Sequence, residues 1–188
     1  MNIRQTGLTL IELMVTLAVA IVLLAVGVPL FTGLAGSNRA TTQANTFLAA
    51  FKLARSEAIS QGSEVSICSV ADVEADPVEC GDENDWGNGL LVFTDSGTLG
   101  SVDGGDTRIR VFANPSDGAI VDTSNAYVRF NAQGDASDLV NHSLCPDSGT
   151  PVERTCMQLN QTESTGNLPR CLHIRRSGQI RLERGTCS

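Results

Sequence analysis

The chain has 188 residues, of which 41% are hydrophobic, and its 21 Asp and Glu residues outnumber its 13 Lys and Arg residues to give a formal net charge of -8. Such an acidic body argues against non-specific nucleic-acid binding by the whole molecule, although it leaves room for a local basic patch. The length suits one domain with its own hydrophobic core.

The amino-terminal segment starts with a short polar leader that ends at Gly7 and has Arg4 as its one charged side chain. A long apolar run follows over residues 8–31, and Glu12 is the single charged residue within it. A carboxylate in a bilayer helix costs about 2.5–3.5 kcal/mol at the centre and less near the end. We therefore expect Glu12 to have a partner.

Two ordinary interpretations compete for this run: a secretory signal that is cut near Ala35 and Gly36, and a plain membrane anchor. The run is long for a signal core, and neither interpretation explains an acid five residues after a glycine. Residues 7–13 resemble the type III signal of type IV pilins and type II secretion pseudopilins, which has this glycine–glutamate spacing.

The resemblance implies how the segment is processed and what it does. A prepilin peptidase would cut after Gly7 and methylate the new amino terminus at Leu8, where the family usually has phenylalanine. Glu12 would then be the fifth mature residue, and its carboxylate would pair with the Leu8 amine of a neighbouring subunit in a filament. Removing one partner of a buried ion pair costs about 3–5 kcal/mol.

From Arg39 onwards the apolar residues recur at steps of three and four, which predicts an amphipathic helix with one apolar face. The residues of that face are Ala40, Ala44, Phe47, Leu48, Phe51, Ala54, Ala58 and Ile59. Gly62 is expected to end the helix. After a leader over residues 1–7, we expect a membrane or filament-core half over residues 8–30 and an amphipathic half over residues 31–62.

After Gly62 the apolar period shifts to two, which predicts β-strands. The expected strands lie at residues 65–67, 90–93, 108–112, 127–130 and 172–175. The polar residues 141–169 are expected to form a long loop tethered by disulfides. The expected fold class is α+β and pilin-like: a long N-terminal helix packed on an antiparallel β-sheet domain over residues 63–188.

Six cysteines lie beyond the apolar run, and none has the C-x-x-C spacing of a zinc site. An even number of cysteines in an exported domain predicts disulfides and a periplasmic or extracellular location. Six cysteines allow fifteen pairings. We favour pairs of sequence neighbours, each worth about 3 kcal/mol in the chain-entropy model: Cys68 with Cys80, Cys145 with Cys156, and Cys171 with Cys187.

The last part of the chain is predicted to form a β-hairpin. If Ile174 lies opposite Ile180 and Leu172 lies opposite Leu182, both apolar pairs share one face. This register leaves residues 176–178 as a three-residue loop, with Gly178 available for the left-handed position. The other face and its margins then carry His173, Arg175, Gln179 and Arg181, with Arg170, Arg176 and Arg184.

Further along the chain the resemblance narrows to the GspH/FimT/FimU group of pilins. Residues 86–95 resemble its central strand, and residues 127–134 and 174–182 resemble its later strands. The group contains minor pilins, pseudopilins and DNA-uptake pilins. DNA-uptake members carry a Gly-Arg-x-Arg element on the terminal segment, and this chain has Gln179 at the second position of that element.

Two functions compete for the terminal arginines. Arginine binds phosphate bidentately, so Arg175, Arg176, Arg181 and Arg184 are the candidate DNA-binding residues. The favoured alternative is that these side chains face acidic neighbours in a pilus tip or the Asp-rich loop of their own chain. Residues 72–106 carry ten acids and no base.

No motif indicates an enzyme, a cofactor or a metal. The acidic segment at residues 82–85 lacks the twelve-residue pattern of a calcium loop, so we expect a solvated loop held by the first disulfide. We expect a minor pilin that primes or caps a type IV pilus, with a type II secretion pseudopilin and a DNA receptor for transformation as alternatives. Its expected partners are other minor and major pilins, the prepilin peptidase and, before assembly, the inner membrane. The expected location is single-pass in the inner membrane with the β domain in the periplasm, followed by the pilus or pseudopilus, with the tip as one position.

Overall fold

The computed structural model describes residues 9–114, 119–140, 142–146, 152–161 and 169–187, and within them all side chains except those of residues 28–37, 119 and 161. Helix α1 spans Leu10–Gln61, and a short 3-10 helix spans Asp85–Gly87. The strands are β1 (Val65–Ser69), β2 (Gly89–Thr94), β3 (Arg108–Ala113), β4 (Ala119–Asp122), β5 (Tyr127–Phe130), β6 (Ala136–Ser137), β7 (Arg154–Gln161), β8 (Arg170–Arg175) and β9 (Ile180–Arg184).

Helix α1 is continuous over 52 residues, and both of its ends are capped. The Thr9 hydroxyl oxygen accepts a hydrogen bond from the Glu12 backbone N–H at 3.3 Å. At the other end Gly62 adopts a left-handed conformation with φ of 64°, which confirms the predicted stop. At a rise of about 1.5 Å per residue the helix is about 78 Å long, so it extends well beyond the β domain.

The two halves of α1 have different surroundings. The segment Leu10–Gly27 has a mean hydropathy of 2.6 and is long and apolar enough to cross a membrane, yet none of it is buried within the protein. The second half packs on the sheets through a buried face of Ala40, Ala44, Phe47, Ala50, Phe51, Ala54 and Ala58. Ile59 is instead 51% exposed, because it lies at the margin of this face beside Gly134.

The strands form two antiparallel sheets, with the orders β3-β2-β1-β5-β6 and β4-β7-β8-β9. Helix α1 contacts strands of both sheets. The predicted α+β fold, a long N-terminal helix on antiparallel sheet, is confirmed. Strand β1 is buried on both faces, because α1 covers one side and the loop after β1 covers the other with Val73, Val78 and Cys80.

The prediction of a loop over residues 141–169 is wrong at Arg154–Gln161, which forms β7 between β4 and β8. Met157 and Leu159 enter the core, and the polar residues between and beside them face the other side. Two large apolar residues among polar neighbours give a weak period-two signal, which explains the error. The short strands β4 and β6 were also absent from the predicted set.

A buried polar link fixes β7 relative to the helix. Trp86 stacks on Phe51 with ring centroids 6.0 Å apart, and its indole N–H donates to the Asn125 carbonyl at 2.6 Å. The Thr155 hydroxyl of β7 lies within hydrogen-bond distance of two acceptors, the Asn125 side-chain oxygen at 2.8 Å and the Val140 carbonyl at 2.7 Å. Because Trp86, Asn125 and Thr155 are all wholly buried, losing one of these bonds would leave an unsatisfied polar group.

Candidate functional site

The amino-terminal candidate site lies at the start of the exposed half of α1. Gly7 and Leu8 lie outside the described residues. Glu12 is exposed in the first turn of the helix, where a negative charge also interacts favourably with the helix dipole. It is surrounded by exposed apolar side chains such as Ile11 and Leu13, so this surface suits contact with lipid or with other helices.

Strands β8 and β9 form the predicted hairpin, and its register is confirmed. Ile174 pairs with Ile180, and Leu172 pairs with Leu182, so the four apolar side chains face the core. In the loop at residues 176–178, Gly178 has φ of 68° and donates its N–H to the carbonyl three residues earlier at 2.8 Å. The polar residues between these pairs therefore lie on the outer face.

The candidate arginines do not form one cluster. Arg175 and Arg181 lie on the outer face of the hairpin, while Arg176 lies in its loop. Arg184 lies at the opposite end of the hairpin, directly across from Arg170. The structure therefore brings Arg175 and Arg181 to one face and places Arg176 and Arg184 at opposite ends.

Arg170 is a buried cation at the base of the hairpin. It is 8% exposed, and its guanidinium donates to the Thr41 hydroxyl on α1 at 3.3 Å. Burial lowers the pKa of Arg170 from its usual value, and the nearby Arg184 lowers it further. This bond attaches the hairpin to the amino-terminal end of the packed half of α1.

Strand β7 completes a charged recess on the outer face of the second sheet, and we call it the basic recess. It has a volume of about 120 Å³ and is lined by Arg154, His173, Arg175, Arg181 and Glu183. Arg154 lies directly opposite Arg175, and His173 lies directly opposite Arg181. Arg154 was not predicted at this site, because residues 141–169 were interpreted as a loop. The alternation of apolar Met157 and Leu159 with polar residues was the signal that could have identified the strand.

The imidazole of His173 lies half-buried within the basic recess. Burial lowers its pKa from the usual value; Glu183, whose Oε2 is 3.8 Å from Nε2, opposes that shift. The three arginines of the recess lower the pKa further. His173 is therefore neutral at pH 7 within a positive field, and an anion that entered the recess would raise its pKa.

The acidic segment at residues 82–85 uses its carboxylates to order its own backbone. Asp85 accepts from the Asp82 N–H at 3.0 Å, and Asp82 accepts from the Asn84 N–H at 2.8 Å. The disulfide between Cys68 and Cys80 holds the loop that leads into this segment. The carboxylates of Asp82 and Asp85 therefore help to order this loop.

The other two disulfides, Cys145–Cys156 and Cys171–Cys187, lie side by side. The sulfurs of Cys156, Cys171 and Cys187 lie within 4.8 Å of one another, a spacing that a metal ion could bridge. Zinc binds cysteine as the thiolate, however, and each of these sulfurs is bonded to another sulfur. The two disulfides therefore have a structural role: one links β7 to the segment that contains Cys145, and the other links β8 to the carboxyl-terminal segment.

Comparison with known proteins gives two family matches. A model described as type II transport protein GspH matches residues 43–166, and a model described as the prokaryotic N-terminal methylation motif matches residues 2–28. No curated protein matches the chain.

Two crystal structures of the type IV minor pilin FimU from Pseudomonas aeruginosa have a similar fold. One is 21% identical with a TM-score of 0.55, covering 80% of this chain and 96% of FimU. The other is 21% identical with a TM-score of 0.53, covering 79% of this chain and 99% of FimU. At this identity the likeness concerns the fold.

Proposed function

The chain belongs to the GspH family and carries the prokaryotic N-terminal methylation motif, and from this membership we propose that it is a minor pilin. It is a structural subunit that helps to prime or cap a type IV pilus together with other minor pilins. Its partners are other pilins, and its work is assembly, with no catalytic step.

The observation that carries this proposal is the division of α1. One uninterrupted helix has an apolar half that the protein leaves exposed and a second half whose buried face holds the β domain. Exposed apolar surface on this scale requires lipid or other apolar helices around it. A subunit that moves from a membrane into a filament core meets both environments in turn.

The processing of the amino terminus follows from the same proposal. A prepilin peptidase cuts after Gly7, and Leu8 becomes the methylated first residue. Glu12 then pairs with the Leu8 amine of a neighbouring subunit in the filament core. Before assembly the chain spans the inner membrane once, with the β domain and its three disulfides in the oxidising periplasm.

A second candidate function is favoured by one observation, since the matching family model is described as a type II transport protein. In that case the subunit belongs to the pseudopilus of a type II secretion system. The architecture and the processing are the same in both cases, so the two candidates differ in the filament that the subunit joins.

Two measurements test the proposal. Intact-mass and N-terminal mass spectrometry of the membrane-extracted protein should give a chain that starts at Leu8 with one added methyl group. Deletion of the gene should reduce sheared surface pili and leave protein secretion unchanged. A mature start near Gly36 would exclude the pilin, and loss of secretion with normal pili would replace it with the pseudopilin.

A further inference from the structure

We propose that the basic recess binds carboxylate side chains of an acidic loop on a neighbouring pilin subunit. The inference rests on the proposed function, because the filament supplies the neighbour. It concerns the outer face of β7, β8 and β9, which is separate from the helix surface that forms a filament core.

The side chains that line the recess favour binding of an anion. The lining of the recess contains three arginines, one glutamate and His173, and its two exposed arginines, Arg175 and Arg181, are open to solvent. Like charges directly opposite each other destabilise a sheet, and Arg154 and Arg175 form such a pair. A carboxylate that bound the exposed Arg175 would offset this repulsion through charge-assisted hydrogen bonds.

The side chains are placed to receive a group from outside. Arg175 and Arg181 are exposed, while Arg154 is half-buried and donates to the Pro146 carbonyl at 3.5 Å. Neighbouring strands lie about 4.8 Å apart, so the three strands present cations over about 10 Å. This footprint matches one or two acidic side chains, and a guanidinium can bind each of them bidentately.

The rest of the molecule favours an acidic protein segment over a nucleic acid. A duplex is an extended polyanion, so it would be repelled by the rest of a molecule whose net charge is -8. A short loop can reach the recess alone. This chain shows the type of loop required, since its residues 72–85 hold seven Asp and Glu residues. Subunits in a filament meet through unlike faces, so an acidic loop on one can face a basic recess on the next.

His173 gives a direct readout, because the chain has two histidines. The full-length protein in a neutral detergent is titrated from pH 5 to pH 8 while NMR follows the imidazole signals, with and without hexa-aspartate peptide. We expect the peptide to move the His173 midpoint to higher pH by about 0.5–1 pH unit. His142, which is buried outside the recess with its Nε2 3.2 Å from Asp122, is the internal control, and its NMR signals should be the same with and without the peptide.

Variants separate the recess from general charge effects. Arg175→Gln with Arg181→Gln should abolish the response to hexa-aspartate. Arg108→Gln with Arg110→Gln removes the same charge from β3 of the other sheet and should leave the response unchanged. A hexa-asparagine peptide should have no effect. An unmoved His173 midpoint in wild-type protein would show that the recess binds no carboxylate and would overturn the inference.

Competing ligands identify the chemistry of the anion. Inorganic phosphate and a 20-base-pair duplex are added at the same concentration of negative charge as the peptide. A larger His173 shift with the duplex, lost at high salt, would assign the recess to nucleic acid and overturn the carboxylate assignment. We expect the peptide to give the largest shift.

The cellular experiment distinguishes this inference from the proposed function. The double variant Arg175→Gln with Arg181→Gln should be cut and methylated normally but enter sheared pili several-fold less than wild type. Normal incorporation of the double variant would refute the role of the recess and leave the minor-pilin assignment intact. Absence of the wild-type protein from pili would instead refute that assignment.

Discussion

Gly134 and Gly178 lie in direct contact where the tip of the β8–β9 hairpin meets the turn after β5. Both have positive φ, 82° and 68°, and a Cβ placed on Gly178 would overlap the Gly134 carbonyl oxygen. Arg55 of α1 donates its Nε–H to that same carbonyl at 2.9 Å. The helix, the first sheet and the hairpin therefore meet at one point, which sets the position of the hairpin.

Substitution of Gly178 by alanine should destabilise the β domain by about 2–3 kcal/mol, because the left-handed backbone is strained with a side chain and the Cβ has no space. Guanidinium unfolding of the full-length protein in detergent, followed by the fluorescence of the single tryptophan Trp86, measures this loss. Gly104→Ala is the control, since its Cβ would meet no atom within 4 Å. Equal unfolding midpoints for the two variants would contradict the prediction.

The hairpin was predictable because its information is local. The alternation of apolar residues and the glycine at the right offset define one register, and the structure has that register. The contact between Gly134 and Gly178 is different, since the two residues are 44 positions apart in the chain. Each glycine has positive φ within its own local turn, but the close approach of the two turns is a tertiary contact that no local pattern encodes.

The basic recess was predictable in part. The outer-face positions of His173, Arg175 and Arg181 follow from the hairpin pattern. Arg154 enters through β7, whose apolar alternation is limited to Met157 and Leu159 and whose place in the sheet depends on pairing with β8. A strand that is specified by its partner more than by its own pattern is difficult to predict from sequence.

Glu12→Gln should be cut, methylated and inserted in the membrane as in wild type but enter pili several-fold less. The neutral amide is better suited to lipid, yet it cannot form the ion pair with the Leu8 amine of a neighbour. Immunoblots of sheared pili and of membranes measure the two pools. Leu13→Met, which keeps the adjacent exposed side chain large and apolar and does not change the charge, should enter pili normally, and normal entry of Glu12→Gln would remove the pairing role.

The three disulfides can be mapped by a tryptic digest of unfolded, unreduced protein with free thiols blocked. Cleavage after arginine should leave residues 56–108 as one peptide that gains two hydrogens on reduction. Residues 130–154 should be linked to residues 155–170, and residues 171–175 should be linked to residues 185–188.

The proximity of the last two disulfides makes this map a sharp test. Because the sulfurs of Cys156 and Cys171 are neighbours, the alternative pairing would link residues 155–170 to residues 171–175. That linked product, present as the main species, would contradict the pairing in the structure. Acidic conditions during unfolding keep thiols protonated and prevent exchange, so the product reports the native pairs.

The folded protein should lose stability on the acid side of neutrality in part through His173. The pKa of His173 is lowered in the folded state, so below the ordinary value of about 6.5 the unfolded chain takes up a proton that the folded chain does not. The free energy of unfolding therefore decreases as the pH is lowered. Unfolding midpoints at pH 7.5 and pH 5.0 measure this loss, and His173→Gln should make it smaller.

Glu183→Gln removes the carboxylate that opposes the shift, so it should lower the pKa of His173 further and make the loss of stability larger. Arg181→Gln removes a cation that lowers the pKa and should make the loss smaller. A larger loss in Arg181→Gln than in Glu183→Gln would show that His173 does not titrate in the field of the recess.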